Sequence, residues 1–295
     1  MIPNVIIGGA PKCATTSLFA WLSDHPEVNA SKYKETFYLL DKDCWKFNPE
    51  FNYFKNGVEG YKKFFNPAKH NEKIILEGTT LYIYQDIAMD VVKQIGAKMI
   101  FVLRNPTERA YSNFKYFFNN RAEDKNISNM SFATFVDRLF DKHSSFNNQQ
   151  IDETLINGVY INYLEKWEKA IGSDKIKIVL LEDIIKDTTA VVKDISLWLD
   201  IAPDFYNDYN FVSENQSVKI KNYFFHNVTR WIARILTDSK FKRKLRKIYK
   251  SLNTVQISRQ ESEASRLAFL RLNEFYKLEN KKLAKKFNLD LSSWE

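Results

Sequence analysis

Lys12 sits in a run of small residues, Gly8-Gly9-Ala10-Pro11-Lys12-Cys13-Ala14, which the hydroxyl series Thr15-Thr16-Ser17 closes. Backbone N–H groups at a helix start, one cation and several hydroxyls suit a phosphate-bearing ligand. The spacing departs from the G-x-x-x-x-G-K-[ST] phosphate loop, because Lys12 comes three residues after Gly9 and the threonines follow at a distance. An ordinary strand-to-helix turn with a solvated lysine is the plain alternative. A second site is Lys34-Glu35, just ahead of the aromatic pair Phe37-Tyr38. A carboxylate beside apolar walls is a candidate general base; a surface ion pair is the alternative. A third is Arg104, which ends the apolar run Met99 to Leu103. It stands where open α/β sheets bind ligands. A salt bridge capping the strand is its plain alternative.

Each of these residues needs an element to hold it. Val5 to Ile7 reads as a buried strand, and Leu18, Trp21 and Leu22 give the following helix its apolar side. His25-Pro26 stops that helix, and residues 28–30 suit a short second strand. Residues 41–72 mix aromatic and polar types without a period, and read as an insertion that lines or covers a pocket. Its aromatic stretch, 37–65, offers stacking surface for a sugar or another flat acceptor. Residues 73–77 predict a strand ending in Gly78-Thr79-Thr80, and 84–95 a helix stopped by Gly96. Strand 98–103 is the clearest in the chain. Beyond Arg104, Asn105 is a helix N-cap, Pro106 sits at N1, and Glu108 closes a capping box. Ser131 caps a further helix. Helices near 154–170 and 188–199 flank a strand over 175–181 that finishes in Glu182-Asp183, and a last helix covers 262–286. Polar loops are expected at 119–129 and 142–152. This alternation predicts an α/β fold with a P-loop-like, mostly parallel central β-sheet flanked by helices.

Composition bounds the partners. The 295 residues carry a net charge of +8, so an anionic ligand or surface is favoured. From Lys219 to Lys250 there are eleven Lys/Arg and one acid, so that stretch holds +10 and the remainder is slightly acidic. The C-terminal part is therefore helical and basic: a solvated face in the plain reading, or a peripheral membrane or anionic-surface contact. Two cysteines, Cys13 and Cys44, make no disulfide framework, and a cytoplasmic setting is the expectation. No signal peptide is expected, and no apolar run approaches the roughly 20 residues that span a bilayer. Four scattered histidines give no metal-ligand spacing. No zinc-finger or RNP-type motif points to nucleic acid.

Taken together, Pro11-Lys12-Cys13-Ala14-Thr15-Thr16 after a strand, Lys34-Glu35 before an aromatic pair, and Val102-Leu103-Arg104-Asn105-Pro106 with Ser112 eight residues beyond Arg104 resemble the sulfotransferase family. These enzymes use 3′-phosphoadenosine 5′-phosphosulfate (PAPS) and release adenosine 3′,5′-bisphosphate (PAP). The likeness is to the bacterial and heparan-sulfate-type branch, and it extends to Asn280–Leu283 and to Asp290-Leu291-Ser292-Ser293-Trp294. It implies that Lys12, Cys13, Ala14, Thr15, Thr16 and Ser17 hold the 5′-phosphosulfate. It implies that Arg104 and Ser112 hold the 3′-phosphate, and that Glu35 and Lys12 are catalytic. Asn215 to Lys221 falls where a late loop closes over the nucleotide, with Lys219 and Lys221 as its contacts. No metal is required. The acceptor expected is a glycan or a small molecule, offering a hydroxyl or an amine.

The chain departs from the family twice. Ala14 stands where glycine is usual, and Gly78 stands where glycosaminoglycan enzymes often carry lysine. The organisation expected is one domain over 1–295, with an α/β core to 212 and a nucleotide-closing loop plus helices from 213. The competing readings are a P-loop kinase or NTPase with Glu182 or Asp183 as metal-binding acid, and a non-catalytic anion-binding module built on the basic stretch.

Overall fold

The computed structural model describes residues 1–67, 71–120, 130–141, 143–212, 218–220, 254–256 and 263–294. Five strands form one sheet: β1 (Val5–Gly9), β2 (Val28–Ala30), β3 (Ile74–Gly78), β4 (Lys98–Leu103) and β5 (Ile176–Leu180). Their order is β2-β3-β1-β4-β5, and every pairing is parallel. Parallel strands are covered on both faces, which is why β1 and β4 read as near-continuous apolar runs. β1 is buried throughout and lies at the centre. Edge strand β5 is fully buried only at Val179 and Leu180.

The α-helices longer than one turn are α1 (Thr15–Ser23), α2 (Asp86–Ile95), α3 (Pro106–Asn120), α4 (Phe132–Phe140), α5 (Tyr160–Ile171), α6 (Leu181–Lys186), α7 (Thr188–Leu199) and α8 (Glu263–Phe287) among the described residues. α2 stops as expected at Gly96, which takes the left-handed conformation (φ 70°). α8 packs against α3, α4 and α5. Its Tyr276 hydroxyl donates to Leu155 O at 3.0 Å, and Arg271 pairs with Asp137 at 2.8 Å. Val218–Ile220 and Thr254–Gln256 form a separate antiparallel pair.

Four expectations are corrected. The capping box of α3 does not close through Glu108. Asn105 Oδ1 does cap, accepting from Thr107 N at 2.9 Å. The N–H of Asn105, however, donates to Glu182 Oε1 at 3.0 Å, while Glu108 turns to Arg104. Next, β5 ends at Leu180, so Glu182 and Asp183 lie in the first turn of α6, where carboxylates favour the helix dipole. α5 starts at Tyr160 rather than near 154, because a tight turn at Ile156–Gly158 passes under Tyr276. A Cβ on Gly158 would lie 2.6 Å from the Tyr276 oxygen. Finally, residues 142–152 are not all loop: Gln149–Asp152 is a one-turn helix, capped by Asn148.

Most of the aromatic insertion is core. Tyr38, Phe51, Tyr61 and Phe64 pack edge-on or tilted against one another, with ring centroids 4.7–6.3 Å apart. Trp45 differs, being 44% exposed. The basic stretch from residue 221 to 250, including Lys221, lies outside the described residues, as does the closing loop at 213–217. Lys219 is placed only as backbone, opposite Val255.

Candidate active site

Central strand β1 organises the site. Its exit loop is tied down where Ala10 N–H donates to Val102 O of β4 at 2.8 Å. The chain then turns through Lys12 (φ 70°) and Ala14 (φ 59°), both left-handed. Ala14 is the N-cap of α1 and has no side chain to satisfy the first N–H groups. Ser17 N–H donates to Ala14 O at 2.9 Å, which leaves the N–H groups of Thr15 and Thr16 for an anion. Cys13 is fully buried, and its Sγ lies 3.6 Å from Pro11 O and 3.9 Å from Tyr160 Oη. Burial raises its thiol to about 11, so Cys13 offers a ligand only its backbone. Thr15 and Ser17 are buried and Thr16 is half-buried.

Left-handed alanine strains the turn. Ala14→Gly is therefore expected to stabilise the fold by about 0.5–1 kcal/mol, after subtracting the extra entropy that glycine loses on folding. A urea melt measures it. An unchanged or lowered midpoint would show that the alanine carries no strain.

The two neighbours of β1 bring the remaining groups to the same edge. On one side, β4 ends at Leu103 and delivers Arg104. The Arg104 guanidinium reaches Glu108 Oε2 at 3.2 Å, and its carbonyl accepts from the Tyr160 hydroxyl at 2.9 Å. Ser112, two turns along α3, is buried. On the other side, β3 ends at Gly78, opposite Ile7. Gly78 O accepts from Glu35 N at 2.6 Å, which seats the Glu35 turn on the end of β3.

The Glu35 carboxylate is held on three sides. Thr80 N–H donates to Oε2 at 3.1 Å, the Thr80 hydroxyl lies 3.2–3.3 Å from both oxygens, and Lys34 Nζ pairs with Oε1. One quarter of the side chain stays open to solvent. A Cβ on Gly78 would lie 2.8 Å from the Phe19 ring and 3.6 Å from Lys34 Cγ, so the glycine leaves room for the Phe19 ring.

Lys12 lies among cations. Burial, then the charge of Arg104, lowers its ammonium to about 8, with Lys115 adding to the repulsion. Its Nζ stands 4.2 Å over the Tyr116 ring. Cations packed this way repel one another until an anion joins them. The loop, the dipole of α1 and this cluster fit a ligand with several phosphate groups.

A groove opens beside these groups. Trp45, Gln85, Asn113, Gln149, Gln150 and Asn157 line it, between Pro11 next to Lys12 and Leu81 next to Thr80. Sequence reasoning had Trp45 within its stacking stretch 37–65 but missed the rest of this wall, and it also missed Thr80, Tyr116 and the buried acid Glu77. For Thr80 and Glu77 there was a signal: a carboxylate and two threonines close an otherwise apolar strand.

The parallel α/β sheet thus brings Lys12, Arg104 and the Glu35 carboxylate to one edge, a setting suited to group transfer from a phosphate-bearing donor. Residues 3–247 match the sulfotransferase domain family, and the chain belongs to it. It is 27% identical over 214 residues to the bifunctional heparan sulfate N-deacetylase/N-sulfotransferase 1 of Caenorhabditis briggsae, covering 69% of this chain and 23% of that protein. It is 25% identical over 261 residues to mouse carbohydrate sulfotransferase 15, covering 68% of this chain and 44% of that protein. The chain thus spans less than half the length of these curated relatives. Among solved structures, a sulfotransferase from Alicyclobacillus acidocaldarius superposes with a TM-score of 0.58 at 20% identity, over 85% of this chain and 96% of that one. That likeness shows a shared fold.

Proposed function

We propose that the chain transfers the sulfuryl group of PAPS to a hydroxyl or amine of a carbohydrate acceptor. The observation that carries this reading is the arrangement about β1: Lys12 at its exit, Arg104 from β4 on one side, and Glu35 against β3 on the other. PAPS supplies the sulfuryl group and the leaving phosphate. The α1 N-terminus and Lys12 meet the charge that grows on that phosphate. Cys13 and Ala14 contribute backbone, and Thr15, Thr16 and Ser17 belong to the same turn. Arg104 and Ser112 take the 3′-phosphate, with Arg104 leaving Glu108 for it. Glu35 receives the acceptor proton as the oxygen or nitrogen bonds to sulfur. Lys219 and Lys221 stay in the proposal as contacts of the closing loop.

The groove beside Pro11 and Leu81 supports a sugar acceptor. The exposed Trp45 offers it a flat face. Relatives whose names state heparan sulfate or carbohydrate sulfotransfer point the same way. Packing of α8 on α3, α4 and α5 supports a single domain over 1–295. Among the described residues no helix is long and apolar enough to cross a membrane. A cytoplasmic setting is part of the reading, supported by the free, buried Cys13 and Cys44. The basic stretch 219–250 is its candidate for contact with an anionic surface.

The test uses two ligands and one variant. PAP is expected to raise the melting temperature, and ADP with Mg²⁺ to leave it in place. Arg104→Ala is expected to weaken PAP at least about tenfold while sparing 5′-AMP, since a charge-assisted contact is worth about 1.5–3 kcal/mol. Stabilisation by ADP–Mg²⁺ alone would favour the kinase reading. Equal losses for PAP and 5′-AMP would remove Arg104 from the 3′-phosphate. Labelled PAPS offered to a panel of glycans and small hydroxyl compounds then reads the acceptor class.

A further inference from the structure

The turn that carries Glu35 has an unusual backbone. Glu35 and Phe37 both lie at positive φ, 67° and 53°, with Thr36 between them. Neither residue is glycine, so contacts must hold the conformation. Those contacts converge on a buried acid. Thr36 Oγ1 donates to Glu77 Oε1 at 2.7 Å, and Thr79 Oγ1 donates to the same oxygen at 2.6 Å. Thr79 Oγ1 in turn accepts from Phe37 N at 3.3 Å. The Tyr82 oxygen lies 3.1 Å from Thr36 Oγ1 and accepts from Tyr38 N and Leu39 N, each at 3.1 Å. Thr80, next in the chain after Thr79, holds the Glu35 carboxylate itself.

Glu77 is wholly buried, and its Oε2 has no hydrogen-bond partner. Among the described residues no cation pairs with it. The titratable groups that face it are Glu35, Tyr82 and Tyr61, with Lys34 occupied by Glu35.

We propose that Glu77 is a positioning residue for Glu35: one carboxyl oxygen fixes Thr36 and Thr79, and through them the left-handed turn that aims the Glu35 carboxylate at the acceptor. Glu77 does not touch the substrate. It acts in its protonated form. Burial raises it to about 7, and the hydroxyl donors and the Glu35 charge modify that value. A second, unpaired anion beside Glu35 would disturb the frame. Turnover at saturating substrate therefore declines as pH rises through about 7. Lys12 does not produce this decline, because bound phosphate keeps it protonated.

This inference rests on Glu35 as the proton acceptor, so Glu35→Gln is run beside three variants. Thr36→Val removes the donor to Glu77 and keeps the β-branched shape. It is expected to lower kcat at least about tenfold, with PAP affinity within about twofold of wild type. Glu77→Ala is expected to do the same. Glu77→Gln still offers one oxygen to both hydroxyls and cannot ionise. It is expected to keep kcat within about threefold at pH 6 and to lose the decline above pH 7. Folding is checked by thermal melt, and Thr36→Val carries the test if Glu77→Ala fails to fold. Wild-type turnover in a folded Thr36→Val would overturn the positioning role alone. A wild-type pH decline retained in Glu77→Gln would overturn Glu77 ionisation as its cause. Wild-type turnover in Glu35→Gln would remove the base, and this inference with it.

Discussion

Glu35→Gln is expected to lower kcat about 10³-fold and to leave PAP affinity within about twofold, in the range that a positioned general base contributes. The amide is the same size and can still accept from Thr80, whose N–H and hydroxyl both reach the carboxylate. What it cannot do is take a proton. A loss confined to kcat therefore isolates proton removal from binding. Glu35 meets the geometric demands of the role: it is held by Thr80 and Lys34 yet open to solvent over a quarter of its side chain. Rapid-quench measurement with saturating PAPS and a working acceptor gives the number. A parallel loss of PAP binding would mean that the residue supports the nucleotide site instead.

Lys12→Met is expected to cost about 10²–10³ in kcat at pH 7, the scale of removing one donor from a developing oxyanion. Methionine keeps the length of the side chain and loses the charge. Binding gives an independent readout through pH. The free-site ammonium is lowered to about 8, by burial first and Arg104 second. A bound polyanion favours the charged form and raises that pKa. Below pH 8 the lysine is already charged, so PAP affinity does not change on its account. As pH rises above 8 binding must recruit a proton, and affinity falls by up to about tenfold per pH unit. Titration calorimetry in two buffers should show proton uptake near pH 9. Lys12→Met should bind PAP more weakly at pH 7 and show no inflection near 8. An unaltered profile in the variant would assign the inflection elsewhere.

The parts of the fold carried by continuous signals were legible in the sequence. β4 with Arg104 and the Asn105 cap is local: a strand, a charge and a capping residue follow one another, and the structure reproduces the order. The parallel sheet followed from apolar runs alternating with helical periods. What failed was non-local. The partner of Asn105 N–H turned out to be Glu182, 77 residues away, because two strand ends lie side by side in the sheet. The late start of α5 depends on Tyr276, more than a hundred residues downstream. Candidate site residues could be picked by type and spacing, but their settings could not. Cys13 turns its thiol inward, Glu35 depends on Thr80, and most of the insertion's rings face one another. Trp45 stays outside that cluster and lines the groove.

The glycine at 78 also constrains how such a site can diverge. Any side chain introduced there meets the Phe19 ring first and then the stem of Lys34. A lysine at this position, the pattern noted for glycosaminoglycan enzymes, therefore cannot arrive as a lone change. Phe19 must yield, while the Lys34 stem, at 3.6 Å, stays in ordinary contact. The changes at 78 and 19 are coupled, so an adjustment of Phe19 has to precede or accompany any side chain at 78.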